Sequence, residues 1–331
     1  MDQPPASVID SGKTINGMSE PAQHRGGLDT ELFQANPCRF IENAIKEFVH
    51  TSPLNHLTAF NNEPIVNEPI VAFANGNDRI FQDFKTIVGE FHLTPREILE
   101  KYIVGKNWRF SPTKKLDSIS VISWALPLTK ETRLMERTAP LGGSPRYNHS
   151  RWIGIRLYEN LEKYVASLLE VLRINAVAPT QSKFFEIKET SGGCLAANWS
   201  ERHVAYASGL GTFGLNGLVI TSLGCAVYLG SVVCDIELAP TRRHPSHMGN
   251  CSFYQDGSCG QCIEHCPGSA ISKKGRSNLT CLKNLRDEQG FKVRNLGLDK
   301  DLIGPAPSCG QCSIGIPCED KIPTLASKKA R

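Results

Sequence analysis

The chain has 331 residues, 40% of them hydrophobic and 21% charged, with a net charge of +4 at neutral pH. That is enough apolar material for one large or two ordinary globular domains, and too much for a disordered chain. The basic residues are spread along the sequence, which argues only weakly for a polyanionic partner, and no run of 18 apolar residues offers a membrane span.

Residues 1–36 are rich in Pro, Gly, Ser, Asn and Gln and carry neither an apolar signal core nor a twin-arginine pair. They read as a flexible arm on a cytoplasmic protein. The first amphipathic helix is predicted from Cys38 to His50, with Phe40, Ile41, Ala44, Ile45, Phe48 and Val49 on one face. The apolar run from Pro64 to Ala74 reads as a strand or an extended strap, and Asp78 to Gly89 as a helix. Thr94-Pro95-Arg96-Glu97 has the form of a capping box that starts another helix, running to about Tyr102. Ser118 to Leu126 is the clearest buried strand. Pro127 to Asn148 reads as a long, irregular excursion ending in a polar cluster, Ser144 to His149, placed to face a ligand. Arg151 to Leu172 is predicted as a long helix, Ile174 to Ala178 as a short strand, and Asn198 as the cap of a helix three residues ahead of Glu201. Gly209-x-Gly211-x-x-Gly214 matches a dinucleotide fingerprint only on paper, because a helix precedes it and a strand-like Leu218 to Ser222 follows. It reads instead as a tight turn where backbone approaches a ligand or a neighbouring element. Tyr228 to Leu238 is a further strand. Mixed helices and strands without regular alternation imply an α+β fold with a largely antiparallel sheet.

Eight of the twelve cysteines lie between residues 251 and 318, in the order Cys251-x7-Cys259-x2-Cys262-x3-Cys266-Pro267, then Cys281, then Cys309-x2-Cys312-x5-Cys318. Eight thiolates is the number two [4Fe–4S] clusters require, and Cys-x2-Cys-x3-Cys-Pro matches the distal part of the bacterial ferredoxin run, whose last cysteine ligates the other cluster. A zinc site leaves the third cysteine and the proline unexplained, and disulfides need an oxidising compartment. Crossover ligation assigns Cys251, Cys259, Cys262 and Cys318 to one cluster, and Cys266, Cys281, Cys309 and Cys312 to the other. The usual first-ligand position holds Asp256. Either Cys251 reaches in over a longer loop or Asp256 itself ligates, and the count of eight favours Cys251. Cys38, Cys194, Cys225 and Cys234 fall outside the spacing and read as buried, inert thiols. The chain thus divides into the arm at 1–36, an α+β domain at 37–240, a ferredoxin-like module at 241–320 and a basic tail at 321–331.

The segments Ser200-Glu201-Arg202, Ala205 to Thr221 and Gly230-Ser231-Val232-Val233, followed by the double cysteine motif, resemble the epoxyqueuosine reductases and, more distantly, the reductive dehalogenases. The resemblance implies a nitroreductase-like domain holding base-off cobalamin, with two [4Fe–4S] clusters relaying electrons to it. It places Glu201, Arg202, Asn216, Gly217, Thr221, Ser222, Tyr228 and Ser231 around the corrinoid, and Tyr147 near its reactive face. Epoxyqueuosine reductases carry an acidic proton donor about six residues before the Glu-Arg pair, where this chain has Leu195. Tyr147, His149, His203 and Tyr206 are then the remaining proton-donor candidates, each with an ordinary structural role as the alternative. The missing acid, together with the absence of a C-terminal helical-repeat part, makes a small molecule the expected substrate, with tRNA not expected as a partner. The expected activity is a cobalamin-dependent iron–sulfur reductase fed by a low-potential donor such as ferredoxin or flavodoxin. The alternative is an electron-transfer protein, or a corrinoid-reducing partner, without substrate chemistry of its own.

Overall fold

The structure is a computed structural model that describes residues 29–105, 116–139, 143–190 and 195–324. Cys194, most of the expected arm and the end of the tail lie outside the described residues. At the centre is a four-stranded sheet in the order Ile70–Asn75, Ser120–Pro127, Val227–Cys234, Ala176–Val177, with every neighbouring pair antiparallel. Ser120–Pro127 is buried along its whole length except for half-buried Pro127. Its unbroken apolar run therefore has the physical meaning expected of a strand covered on both faces.

One face carries Ile122, Trp124, Leu126, Tyr228 and Val232, which pack with Ile155, Tyr158 and Leu161 of the helix Pro145–Val171 and with Ile41 and Ile45 of Pro37–Thr51. The other face carries Val121 and Val233, covered by Phe81 and Phe84, by Ile98 and Leu99, and by Trp199, Val204 and Ala207. Trp124 lies opposite Gly230, and a Cβ on that glycine would sit 2.8 Å from the indole Nε1. Only a glycine lets the tryptophan lie across the strand there.

The capping box forms as expected. Thr94 N donates to Glu97 Oε2 at 2.8 Å, and Glu97 N donates back to Thr94 Oγ1 at 3.3 Å. Gly209 adopts φ +83°, with the Arg242 carbonyl 2.9 Å from where a Cβ would stand. The chain then runs into the hairpin Gly211–Phe213 and Val219–Thr221, so this glycine segment is a tight turn.

Four expectations are corrected. A helix, Thr30–Ala35, precedes the first predicted one, capped by the Asp29 side chain on Leu32 N. The excursion after Pro127 contains the helix Lys130–Arg137. The Ser144–His149 cluster is the first turn of the long helix, started by the Ser144 hydroxyl, which accepts from Tyr147 N at 3.1 Å. Asn198 is not a cap: its side chain bridges Glu186 N and Phe184 O, and the helix Glu201–Ala207 begins after Ser200. The hairpin Ile187–Glu189 with Leu195–Ala197 went unforeseen, because three-residue strands carry too little periodicity to be recognised.

Candidate functional site

Two cavities lie side by side. The smaller is lined by Cys251, Cys259, Cys262 and Cys318, closed by Leu215, Ile220, Phe253 and Ile316. Among the described residues no three His, Cys, Asp or Glu side chains stand where one metal ion could join them. Burial, with smaller contributions from Cys318, Cys251 and Cys259, pushes the Cys262 thiol up to about 12. Asp256 is exposed and accepts from Ser258 N, away from the cavity lining.

The remaining four cysteines act on one another. Burial raises Cys312, with Cys281 and Cys266 adding to the shift, and burial lifts Cys309 to about 12 beside Cys312 and Cys281. Two donors already point at these sulfurs: Ala270 N to Cys266 at 3.2 Å and Arg276 Nη2 to Cys281 at 3.3 Å. Buried Glu136 holds the Cys309–Cys312 loop, accepting from Gly310 N on Oε1 and from Ser144 N on Oε2. The misread polar cluster serves the same end. Asn148 accepts from Ile303 N, His149 bonds the Asp301 carbonyl, and the buried ring of Tyr147 lies against Gly310.

The larger cavity, about 290 Å³, is lined by apolar Leu128, Phe185, Leu195, Leu218, Ala226 and Leu229 and by polar Arg151, Tyr158, Glu201, Arg202, His203 and Tyr228. Glu201 Oε2 and the Tyr228 hydroxyl are buried there without a hydrogen-bond partner. Such orphaned groups in an apolar pocket are what a ligand would satisfy. Burial holds the Tyr228 phenol protonated, well above its usual range. His203 is driven down to about 3 by burial and by the Arg202 charge, so it is neutral near pH 7. Cys225 joins the two cavities. It lines the larger one, and its Sγ is 3.8 Å from that of Cys318.

Of the four proton-donor candidates, only His203 reaches this cavity. Tyr206 lines a separate one beside Asp78 and Arg243, and Tyr147 and His149 belong to the contacts holding the cysteine segment. Of the eight residues assigned to a corrinoid, Glu201, Arg202 and Tyr228 meet in the cavity. Asn216 instead donates to the Cys312 carbonyl, Thr221 donates to the Gly224 carbonyl, Ser231 donates to Glu201, and Ser222 lines a different surface pocket. Gly217 presents its carbonyl to Arg202. These eight residues do not line one common cavity. Arg151, Tyr158, Glu162 and Cys225 were missed because no local motif marks them; they become neighbours only through the long helix and the sheet.

The chain is similar in sequence to curated epoxyqueuosine reductases over part of its length. Epoxyqueuosine reductase from Staphylococcus aureus is 33% identical over 94 residues, 28% of this chain and 23% of that protein. The Listeria monocytogenes epoxyqueuosine reductase is 28% identical over 211 residues, 62% of this chain and 48% of that protein. The chain thus spans from about a quarter to a half of the curated relatives it matches. No protein-family model matches it. A solved epoxyqueuosine reductase from Streptococcus thermophilus aligns over 86% of this chain and 68% of its own, at 18% identity and a TM-score of 0.43. Another, solved with an epoxyqueuosine-modified tRNA-Tyr stem loop, aligns over 84% of this chain and 66% of its own, at 15% identity and a TM-score of 0.43.

These curated relatives are named epoxyqueuosine reductases, so the preference for a small-molecule substrate, the electron-transfer alternative and the low weight given to tRNA are corrected. The inference from Leu195 failed for a physical reason. Leu195 and Glu201 line the same cavity, so the cavity keeps a carboxyl even with leucine at that position. The relatives lend no support to the reductive dehalogenase half of the resemblance.

Proposed function

We propose that the chain is an iron–sulfur reductase of the epoxyqueuosine reductase type, acting on an epoxide-bearing nucleoside in tRNA. The observation that carries this reading is Cys225, a wall of the polar cavity and a neighbour of Cys318 in the four-cysteine pocket. The residues suit two clusters: four cysteines line one small cavity, and in the other set Cys266 and Cys281 have N–H donors on their sulfurs. [4Fe–4S] clusters held at these two sets would supply single electrons beside the cavity. The protein's part is positional. Glu136 fixes the Cys309–Cys312 loop, the apolar walls exclude water, and Arg151 and Arg202 put positive charge where a nucleotide would enter. Residues 241–320 then form the cluster module on an α+β body at 37–240. No helix among the described residues is long and apolar enough to cross a membrane, and cluster insertion into reduced thiols suits a cytoplasmic site.

The test is reduction of epoxyqueuosine-containing tRNA by anaerobically reconstituted protein and a chemical one-electron reductant, followed by nucleoside mass spectrometry. Disappearance of the epoxide nucleoside, together with tRNA binding that weakens steeply with salt, supports the reading. Protein carrying about eight iron atoms that leaves the nucleoside unchanged removes it.

A further inference from the structure

Glu201 opens the helix Glu201–Ala207 and turns its carboxyl into the larger cavity. Its Oε1 accepts from the Ser231 hydroxyl at 3.0 Å, and that hydroxyl accepts from Trp199 Nε1 at 3.0 Å. The other oxygen, Oε2, is shielded from bulk water and has no protein partner. The carboxyl is therefore held by one oxygen, while the other is buried at the cavity wall without a hydrogen-bond partner.

We propose that Glu201 is the proton donor of this cavity, delivering a proton from Oε2 to the epoxide oxygen as the C–O bond breaks, an inference that rests on the epoxide-reductase reading. Reduction of an epoxide consumes two electrons and two protons, whether the oxygen stays as a hydroxyl or leaves as water. Both electrons come from the external one-electron reductant, and clusters at the two cysteine sets would carry them. In either outcome one proton must reach oxygen, and Glu201 supplies that one; the second comes from water, which also reprotonates Glu201.

The surroundings keep the proton on the acid. Burial raises Glu201 to about 7, against the Ser231 bond that favours the carboxylate. Behind it on the long helix lies Glu162, whose own carboxyl is pushed well up by burial and by Glu201. Glu162 Oε2 accepts from Thr180 and Gln181, while its Oε1 is unpartnered. Two neighbouring buried carboxyls resist joint ionisation, so the pair retains a proton near neutrality. The other charged or titratable groups on the cavity are Arg151, Tyr158, Arg202, His203, Tyr228 and Cys225, whose thiol is held protonated well above its usual range. The two phenols and the neutral imidazole titrate far from pH 7, which leaves the carboxyls as the acids able to change there. His92 behind Trp199 is lowered to about 4 and is likewise neutral.

The experiment compares wild type, Glu201→Gln and Ser231→Ala by single-turnover reduction across pH, with iron content, tRNA affinity and 13C-carboxyl NMR measured in parallel. In wild type the rate falls as pH rises through about 7, and a carboxyl resonance titrates with the same midpoint. Glu201→Gln loses that resonance and about 10²-fold or more in rate, with iron and tRNA affinity kept. Ser231→Ala, which removes a bond favouring the carboxylate, moves the midpoint to higher pH. A Glu201→Gln rate within about twofold of wild type, or a Glu201 resonance titrating near the ordinary value of about 4.3, overturns the proposal while leaving the reductase reading standing. Wild type that does not reduce the epoxide nucleoside overturns both.

Discussion

Cys225 Sγ lies 3.8 Å from Cys318 Sγ, while the amide of Cys225 donates to the Cys318 carbonyl at 2.8 Å. The contact with Cys318, and then burial, keep the Cys225 thiol protonated. With Cys318 as a cluster ligand, Cys225 would stand within donor reach of a ligand sulfur, and a hydrogen bond there would raise the cluster's potential. Cys225→Ala is expected to leave iron content unchanged and to lower one potential by roughly 40 mV, the one-electron equivalent of a ~1 kcal/mol hydrogen bond. Redox titration followed by electron paramagnetic resonance measures it, and an unchanged potential excludes the contact.

Cys251 lines the four-cysteine cavity, whereas Asp256 is turned to solvent. Cys251→Ser is expected to cut reconstituted iron to about half of the eight atoms that two clusters hold, and Asp256→Ala to leave it unchanged. Iron and sulfide assays on the two variants decide between the residues.

Glu319 is buried and accepts from Arg137 Nε at 3.1 Å, from Arg137 Nη2 at 3.0 Å and from Gly315 N at 2.6 Å, with Arg133 at 3.3 Å. This anchors the Cys318 segment to the helix Lys130–Arg137. Glu319→Gln should cost about 1.5–3 kcal/mol, the range for hydrogen bonds to a charged group, seen as a lower melting temperature and faster cluster loss in chelator. A melting curve that overlays wild type counts against the anchor.

His92 and His203 are buried and neutral, lowered to about 4 and about 3. The unfolded chain, with histidines near 6.5, binds protons that the folded chain refuses. Their contribution to stability is thus intact above about pH 6.5 and is lost as pH falls toward 4 and 3, by up to about 1.4 kcal/mol per pH unit for each histidine. Denaturant unfolding between pH 7 and 5 should show this slope, and it should flatten in His92→Asn.

The parts of the molecule legible in the sequence were those with a local signature. Ser120–Pro127 announced itself by an unbroken apolar run, the Thr94 box by its two partners, and the cysteine sets by their spacing. The larger cavity was not legible as a site. Tyr158, Glu201 and Tyr228 come from two helices and a strand, and only the antiparallel sheet brings them together. Ser144 to His149 was misread because polar residues reach a buried position when another segment supplies partners. Here the residues from Asp301 to Gly310 do so for Asn148, His149 and Tyr147.

The backbone of Cys225 and Ala226 forms part of the cavity wall, and its amides are held by the carbonyls of Cys318 and Glu319 at 2.8 and 3.0 Å. Gly224, at φ +79°, permits this, since a Cβ there would stand 2.3 Å from the Glu319 carbonyl oxygen. The last cysteine of the series is thereby stitched to the floor of the larger cavity, so a change in what Cys318 holds would be felt in the cavity wall through two backbone bonds.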